Sequence, residues 1–131
     1  SNRTGKIDNM DQTFIFVFGS NLAGRHGAGS ALEALQKHGA VLGKGVGLHG
    51  RSYAIPTKDE NLNVMELPTI ARYVTEFLHF AREKPTYKFS VVEIGCGLAG
   101  YTPEQIAPMF KGYPPNVTLS FRFKQIIDAL G

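Results

Sequence analysis

The stretch Phe14-Ile15-Phe16-Val17-Phe18 is an unbroken run of β-favouring apolar residues, and it empties directly into the glycine-rich GSNLAGRHGAG of Gly19–Gly29. A run with no polar alternation is expected to be a strand buried on both faces, which requires a sheet covered by helices. From Ala28 the apolar residues Ala28, Ala31, Leu32 and Leu35 recur at the spacing of one helix face. Lys37 and His38 suit its last turn, and Gly39 the position just past its end. Strand-to-helix connections usually take roughly two to six residues. This one is longer and rich in glycine, so something is expected to lie close to its backbone.

The order repeats along the chain. Ser52–Ile55 is a second predicted strand, closed by Pro56, and Pro68 opens a helix with the stripe Ile70, Tyr73, Val74, Phe77, Leu78 and Ala81. Phe89–Ile94 is a third strand and runs into a second glycine loop, Gly95-Cys96-Gly97-Leu98-Ala99-Gly100. Thr102-Pro103-Glu104-Gln105 has the form of a capping box, ahead of the buried face Ile106, Met109 and Phe110, with Gly112 and Pro114 at the end. Val117–Phe121 is a fourth strand, and Phe123, Ile126, Ile127 and Leu130 mark a last helix. Strands alternating with helices predict an α/β fold with a largely parallel sheet. Ligands of such sheets bind beyond the carboxyl ends of the strands, where both glycine loops would lie.

Length and composition set the bounds. With 131 residues, 43% hydrophobic and 19% charged, the chain suits one globular domain with its own core. No apolar run approaches a membrane span and no signal pattern opens the chain, so no membrane partner and cytoplasmic residence are expected. The single cysteine, Cys96, excludes an intrachain disulfide, and with four scattered histidines no zinc spacing appears. Neither a metal nor a cofactor is expected. Ser1–Asn9 is polar and precedes Met10; it is expected to be an expression scar or disordered tail, leaving residues 10–131 as the domain. The net charge of +3 points to an anionic partner. Its lysines and arginines are dispersed, which suits a small phosphate ligand as well as a polynucleotide or a merely solvated surface.

Glycine lets backbone N–H groups approach an anion unobstructed, and helix N-termini add unpaired donors and partial positive charge. Two such loops on one sheet edge would grip a diphosphate from both sides. Gly95–Gly100 and Gly45-Val46-Gly47-Leu48-His49-Gly50 both match G-x-G-x-x-G. In the first the helix starts late and no acidic residue lies about 20 residues on; in the second a strand follows, not a helix. Neither is a dinucleotide fingerprint. Lys58 follows a strand, and so belongs on the ligand edge, as a phosphate partner, a nucleophile or a surface lysine paired with Asp59. Cys96 is either a small residue in a tight loop or a thiol activated beside His26 or His49. Arg25 and His26 would contact phosphate or line a mobile loop, and Tyr101 would stack on a ribose or base or pack on the sheet.

These residues resemble the macro-domain family, and most closely its branch of terminal ADP-ribose glycohydrolases and DNA ADP-ribosyl glycohydrolase antitoxins. The likeness lies in His26-Gly27-Ala28-Gly29-Ser30-Ala31 opening a helix, in Thr57-Lys58 ending a strand, and in Ile94-Gly95-Cys96-Gly97-Leu98 after a third strand. The same order and spacing run from about Phe14 to Phe121. Small bacterial and phage macro-like proteins share the IGCGLAG loop. The resemblance implies a three-layer α/β/α fold that binds ADP-ribose or an ADP-ribosylated macromolecule over the strand ends. It implies Gly27, Ala28, Gly29 and Ser30, with Gly95, Cys96, Gly97, Leu98, Ala99 and Gly100, as diphosphate loops, and Asn21 near the distal ribose. Thr57, matched with Lys58, and Tyr101, by its place after the second loop, complete the candidate ligand set. In that branch the lysine at the Lys58 position attacks the anomeric carbon, and an aspartate after I-G-C-G-L resolves the adduct. Here that position is Ala99. Asp59 and Glu93 are nearby carboxylates in sequence, and Asp11 precedes the first strand, where many macro domains use an acidic residue for adenine. Three functions follow: an ADP-ribosyl glycohydrolase, a binder of ADP-ribose or a related nucleotide signal without turnover, and a nucleic-acid-binding protein.

Overall fold

Alternation along the first strand divides its side chains between two cores, one on each face of the sheet. In the computed structural model, which describes residues 14–131, Ile15 and Val17 join a large cluster and Phe18 a small one, with Phe16 packed against the latter. The expected tail Ser1–Asn9, the start at Met10, and Asp11 lie outside the described residues.

Strand β1 (Phe14–Asn21) is followed by helix α1 (Gly29–Lys37), then by β2 (Gly47–His49) and β3 (Ser52–Lys58). Helix α2 (Leu67–Glu83), β4 (Lys88–Val91), α3 (Pro103–Ile106) with a 3-10 turn at Ala107–Phe110, β5 (Val117–Leu119) and α4 (Phe121–Ala129) complete the order. The sheet runs β2-β3-β1-β4-β5. β1 is parallel to β3 and β4, and β4 to β5, while β2 pairs antiparallel with β3 at one edge. The protein is therefore mixed α/β with a mostly parallel five-stranded sheet.

The large core joins Ile15, Val17, Tyr53 and Ile55 to the α2 stripe Ile70, Val74, Phe77, Leu78 and Ala81, and to Ile106, Phe110, Phe123 and Ile127. Phe77 is at its centre, edge-to-face with Tyr53 (5.0 Å), Phe89 (5.3 Å) and Phe110 (6.3 Å). The small core sets α1 against Phe18 and Ala54 through Ala31 and Ala34. The capping box forms as its sequence predicts: Thr102 Oγ1 accepts from Gln105 N–H, and Gln105 Oε1 accepts from Thr102 N–H. Asn116 ties the end of α2 to β4, its amide facing the carbonyls of Ala81, Lys84 and Tyr87.

Several boundaries differ from the sequence expectation. β1 continues through Gly19 and Ser20 to Asn21, so the first glycine loop begins as strand. β3 does not stop at Pro56 but runs through it to Lys58. At that point β2 has already ended, so only one edge of β3 is paired in the sheet, a position where proline is tolerated. β4 ends at Val91 and not Ile94, because Ile94 N–H donates back to the Val92 carbonyl and turns the chain. β5 ends at Leu119, because Ser120 caps α4 by accepting from Phe123 N–H.

Candidate functional site

The carboxyl ends of β1 and β3 and the turn after β4 meet at one sheet edge, as parallel pairing of these strands requires. They enclose a cleft of about 740 Å³, the size of a pocket for a nucleotide-sized ligand. From β1 it takes Gly19, Ser20 and Asn21; from the first loop and α1, Arg25, Gly27, Ala28, Gly29, Ser30 and Ala31. From β3 come Thr57 and Lys58, and from the turn and second loop Val92, Glu93, Ile94, Gly95, Gly97, Leu98 and Ala99. Leu62 also lines it.

Ten of the expected ligand residues and Lys58 thus share one cleft: Asn21, Gly27, Ala28, Gly29, Ser30, Thr57, Gly95, Gly97, Leu98 and Ala99. Three expected residues do not line it. Cys96 is half-buried with its thiol facing the Ile94 carbonyl at 3.4 Å, and burial, then the charge of Glu93, pushes that thiol up to about 11. This is the opposite of an activated cysteine. Gly100 closes the loop by donating to the Gly97 carbonyl. The Tyr101 hydroxyl donates to the Met65 carbonyl, so the ring fastens the second loop to the segment before α2.

Other expected roles change for the same reason, that side-chain groups are engaged by the protein itself. Asn21 lines the cleft, but its Nδ2 donates to the Arg25 carbonyl and its Oδ1 accepts from Arg25 N–H, both at 2.9 Å. It shapes the first loop. Ser20 Oγ donates to the Gly45 carbonyl, and Thr57 Oγ1 to the Ser20 carbonyl at 3.4 Å. His26 is 1% exposed, edge-to-face on Phe18, with Nε2–H donating to the Val41 carbonyl. It is a buried support and does not line this cleft. Asp59 does not pair with Lys58 among the described residues; its carboxylate accepts from Asn61 and Asn63 N–H at 2.8 and 2.9 Å. That turn holds Leu62 at φ 66°, in the left-handed region.

The glycines fall into three kinds. A Cβ at Gly45 would lie 1.9 Å from the Asn21 carbonyl oxygen, and one at Gly24 2.3 Å from the Gly43 backbone. These glycines allow the 43–45 segment to lie against the first loop, which accounts for Gly45; Gly47 and Gly50 of the same motif take left-handed φ of 87° and 60°, and a Cβ at Gly50 would lie 2.7 Å from the Gly39 carbonyl oxygen. Gly29, Gly95 and Gly100 have left-handed φ. Gly27 and Gly97 have neither reason: their φ lies outside that region, and an added Cβ would meet no protein atom within 4 Å. They stand on opposite loops of the cleft.

Helix α1 opens onto the same space. Ala28 at its N-cap supplies no side-chain acceptor, and no acidic residue occupies its first turn, so its first N–H groups are left as donors for an anion. No family model, curated protein or solved structure matches the chain. No group of three or more histidine, cysteine or acidic side chains that could hold a metal occurs among the described residues, and no helix there is long and apolar enough to cross a membrane. Leu62 carried no local signal in the sequence, because a left-handed leucine is imposed by the Asp59 turn around it.

Proposed function

We propose that the cleft binds ADP-ribose through its diphosphate, as a macro-domain-like site. The observation that carries this is the pair Gly27 and Gly97, two cleft glycines for which the protein's own packing and backbone have no need. A ligand brought against the backbone from both loops would account for them, since a methyl group there would stand between N–H donors and an anion. The uncapped start of α1 adds donors on the same side, and Arg25 and Lys58 add positive charge. The cleft lies beyond the carboxyl ends of β1, β3 and β4 in a mostly parallel sheet, which is where the resemblance implies the ligand.

Lys58 favours a second reading, hydrolysis of an ADP-ribosyl linkage. It lies in the cleft and has no ion-pair partner among the described residues. In that reading its amine attacks the anomeric carbon of the distal ribose, held within about 3–3.5 Å. The glycosidic bond to the carrier breaks, and the carrier leaves with its bonding electron pair and takes up the proton the amine gives up. Water then hydrolyses the lysine adduct to free ADP-ribose and the amine. Ala99 stands on the cleft wall where the resembling branch carries its aspartate, so binding is the primary proposal and turnover the secondary one.

Calorimetric titration with ADP-ribose, with ADP and NAD as controls, tests it. Selective binding of ADP-ribose is expected, followed by release assays on ADP-ribosylated protein and DNA. Absence of binding to the folded protein refutes the assignment. Affinity for nucleic acid that falls steeply with salt and ignores ADP-ribose would replace it with a polynucleotide function.

A further inference from the structure

Resting on the ADP-ribose reading, we infer that Glu93 reads the hydroxyl groups of the ligand and makes the site selective for a sugar diphosphate over a bare one. The inference comes from which polar side chains of the cleft remain available. Ser20, Asn21 and Thr57 are engaged with backbone groups of the protein. Four lining residues have side chains with no hydrogen bond or ion pair among the described residues: Arg25, Ser30, Lys58 and Glu93. Arg25 and Lys58 only donate, Ser30 does both, and an ionised glutamate only accepts. Glu93 is also the only carboxylate lining the cleft among the described residues.

A site built for phosphate alone gains nothing from a carboxylate on its wall, which repels the ligand. The carboxylate is accommodated when the ligand also carries donors, and vicinal hydroxyls present two to a single carboxylate. The complement of two cations and one acceptor is a molecule with an anionic middle and a hydroxylated end. A polar site that pairs with a hydroxyl discriminates sharply against ligands lacking it, because the site's own group is then left unpaired.

The experiment titrates wild type, Glu93→Ala and Glu93→Gln with ADP-ribose and with inorganic pyrophosphate. Glu93 is exposed, so both variants are expected to fold, which their melting curves check. Glu93→Ala should weaken ADP-ribose at least tenfold and leave pyrophosphate unchanged or tighter; Glu93→Gln should fall between. If Glu93→Ala leaves ADP-ribose affinity within twofold, or shifts both ligands alike, Glu93 is a rim charge and the inference is wrong. If wild type binds pyrophosphate but not ADP-ribose, or binds neither, the ADP-ribose reading fails first and takes this inference with it.

Discussion

Replacing Gly97 by alanine separates a glycine kept for folding from one kept for a ligand. The new Cβ meets no protein atom within 4 Å, and the residue is not in the left-handed region. Folding therefore loses nothing, and the unfolded chain loses freedom, a stabilisation of about 0.4–1 kcal/mol. For 131 residues that is a rise in Tm of about 1–4 °C. Binding should move the other way. A methyl group on the second loop displaces an anion from the backbone N–H groups it approaches, and one hydrogen bond to a charged group is worth about 1.5–3 kcal/mol. The expected loss of ADP-ribose affinity is about tenfold to a hundredfold or slightly more. Calorimetry and thermal melting on the same preparations measure both. Gly24→Ala is the contrasting variant: its Cβ would sit 2.3 Å from the Gly43 backbone at φ +70°, so it should lose about 2–6 kcal/mol of stability. A Gly97→Ala protein that is stable and binds ADP-ribose as wild type would refute the reasoning, since the cleft glycine would then have no ligand to explain it.

Lys58→Ala should abolish any hydrolysis while leaving ADP-ribose affinity within about tenfold, because backbone donors carry the phosphates; wild-type turnover by that variant removes Lys58 from the chemistry. Tyr53 is pushed up from 10.0 to about 12 by burial and then by the charge of Glu76, and Cys96 from 9.0 to about 11 by burial and then by Glu93. Both are favoured neutral in the folded state, so their contribution is intact below pH 9 and is lost as pH rises through 9–11 for Cys96 and 10–12 for Tyr53. Melts between pH 8 and 12 should show Tm falling, and a flat profile contradicts the sign. Cys96 should also resist alkylation at pH 8, followed by mass spectrometry. Phe77→Ala should cost about 3–5 kcal/mol, a drop of about 10–18 °C in Tm; a drop under about 4 °C would mean the aromatic cluster does not hold the large core.

Elements with a strong period were legible in the sequence. The α2 stripe, the apolar run of β1 and the Thr102 capping box each carry their structure in a few neighbouring residues. β2 was not legible, since three half-buried residues have no period and owe their pairing to β3. Pro56 reads as a stop in the sequence, and proline does lack a donor, but that loss is tolerated where the neighbouring edge strand has ended. The cleft was legible where backbone matters: glycine and the residues after a strand mark the ligand edge without any side-chain contact. It was less legible where side chains matter. Nothing near His26 or Tyr101 announces that each is engaged by a backbone carbonyl elsewhere in the fold, at Val41 and Met65. Such engagement depends on which loop lies alongside, a property of the tertiary arrangement.

The two cores are unequal, and the cleft spans the seam between them. On one face the sheet is held by interlocked aromatic rings; on the other, α1 rests largely on Ala31, Ala34, Ala40 and Ala54 around Phe18. Alanine removes little apolar surface from water, so the α1 layer adheres with less free energy than the opposite one. Openings of the native protein short of full unfolding should therefore begin with α1 and the loop before it. That loop and the first turn of α1 form one wall of the cleft, while the other wall continues from β4. A diphosphate bonded to both walls would act as a staple between a loosely attached layer and a firmly attached one, and the occupied protein would unfold as a single cooperative unit.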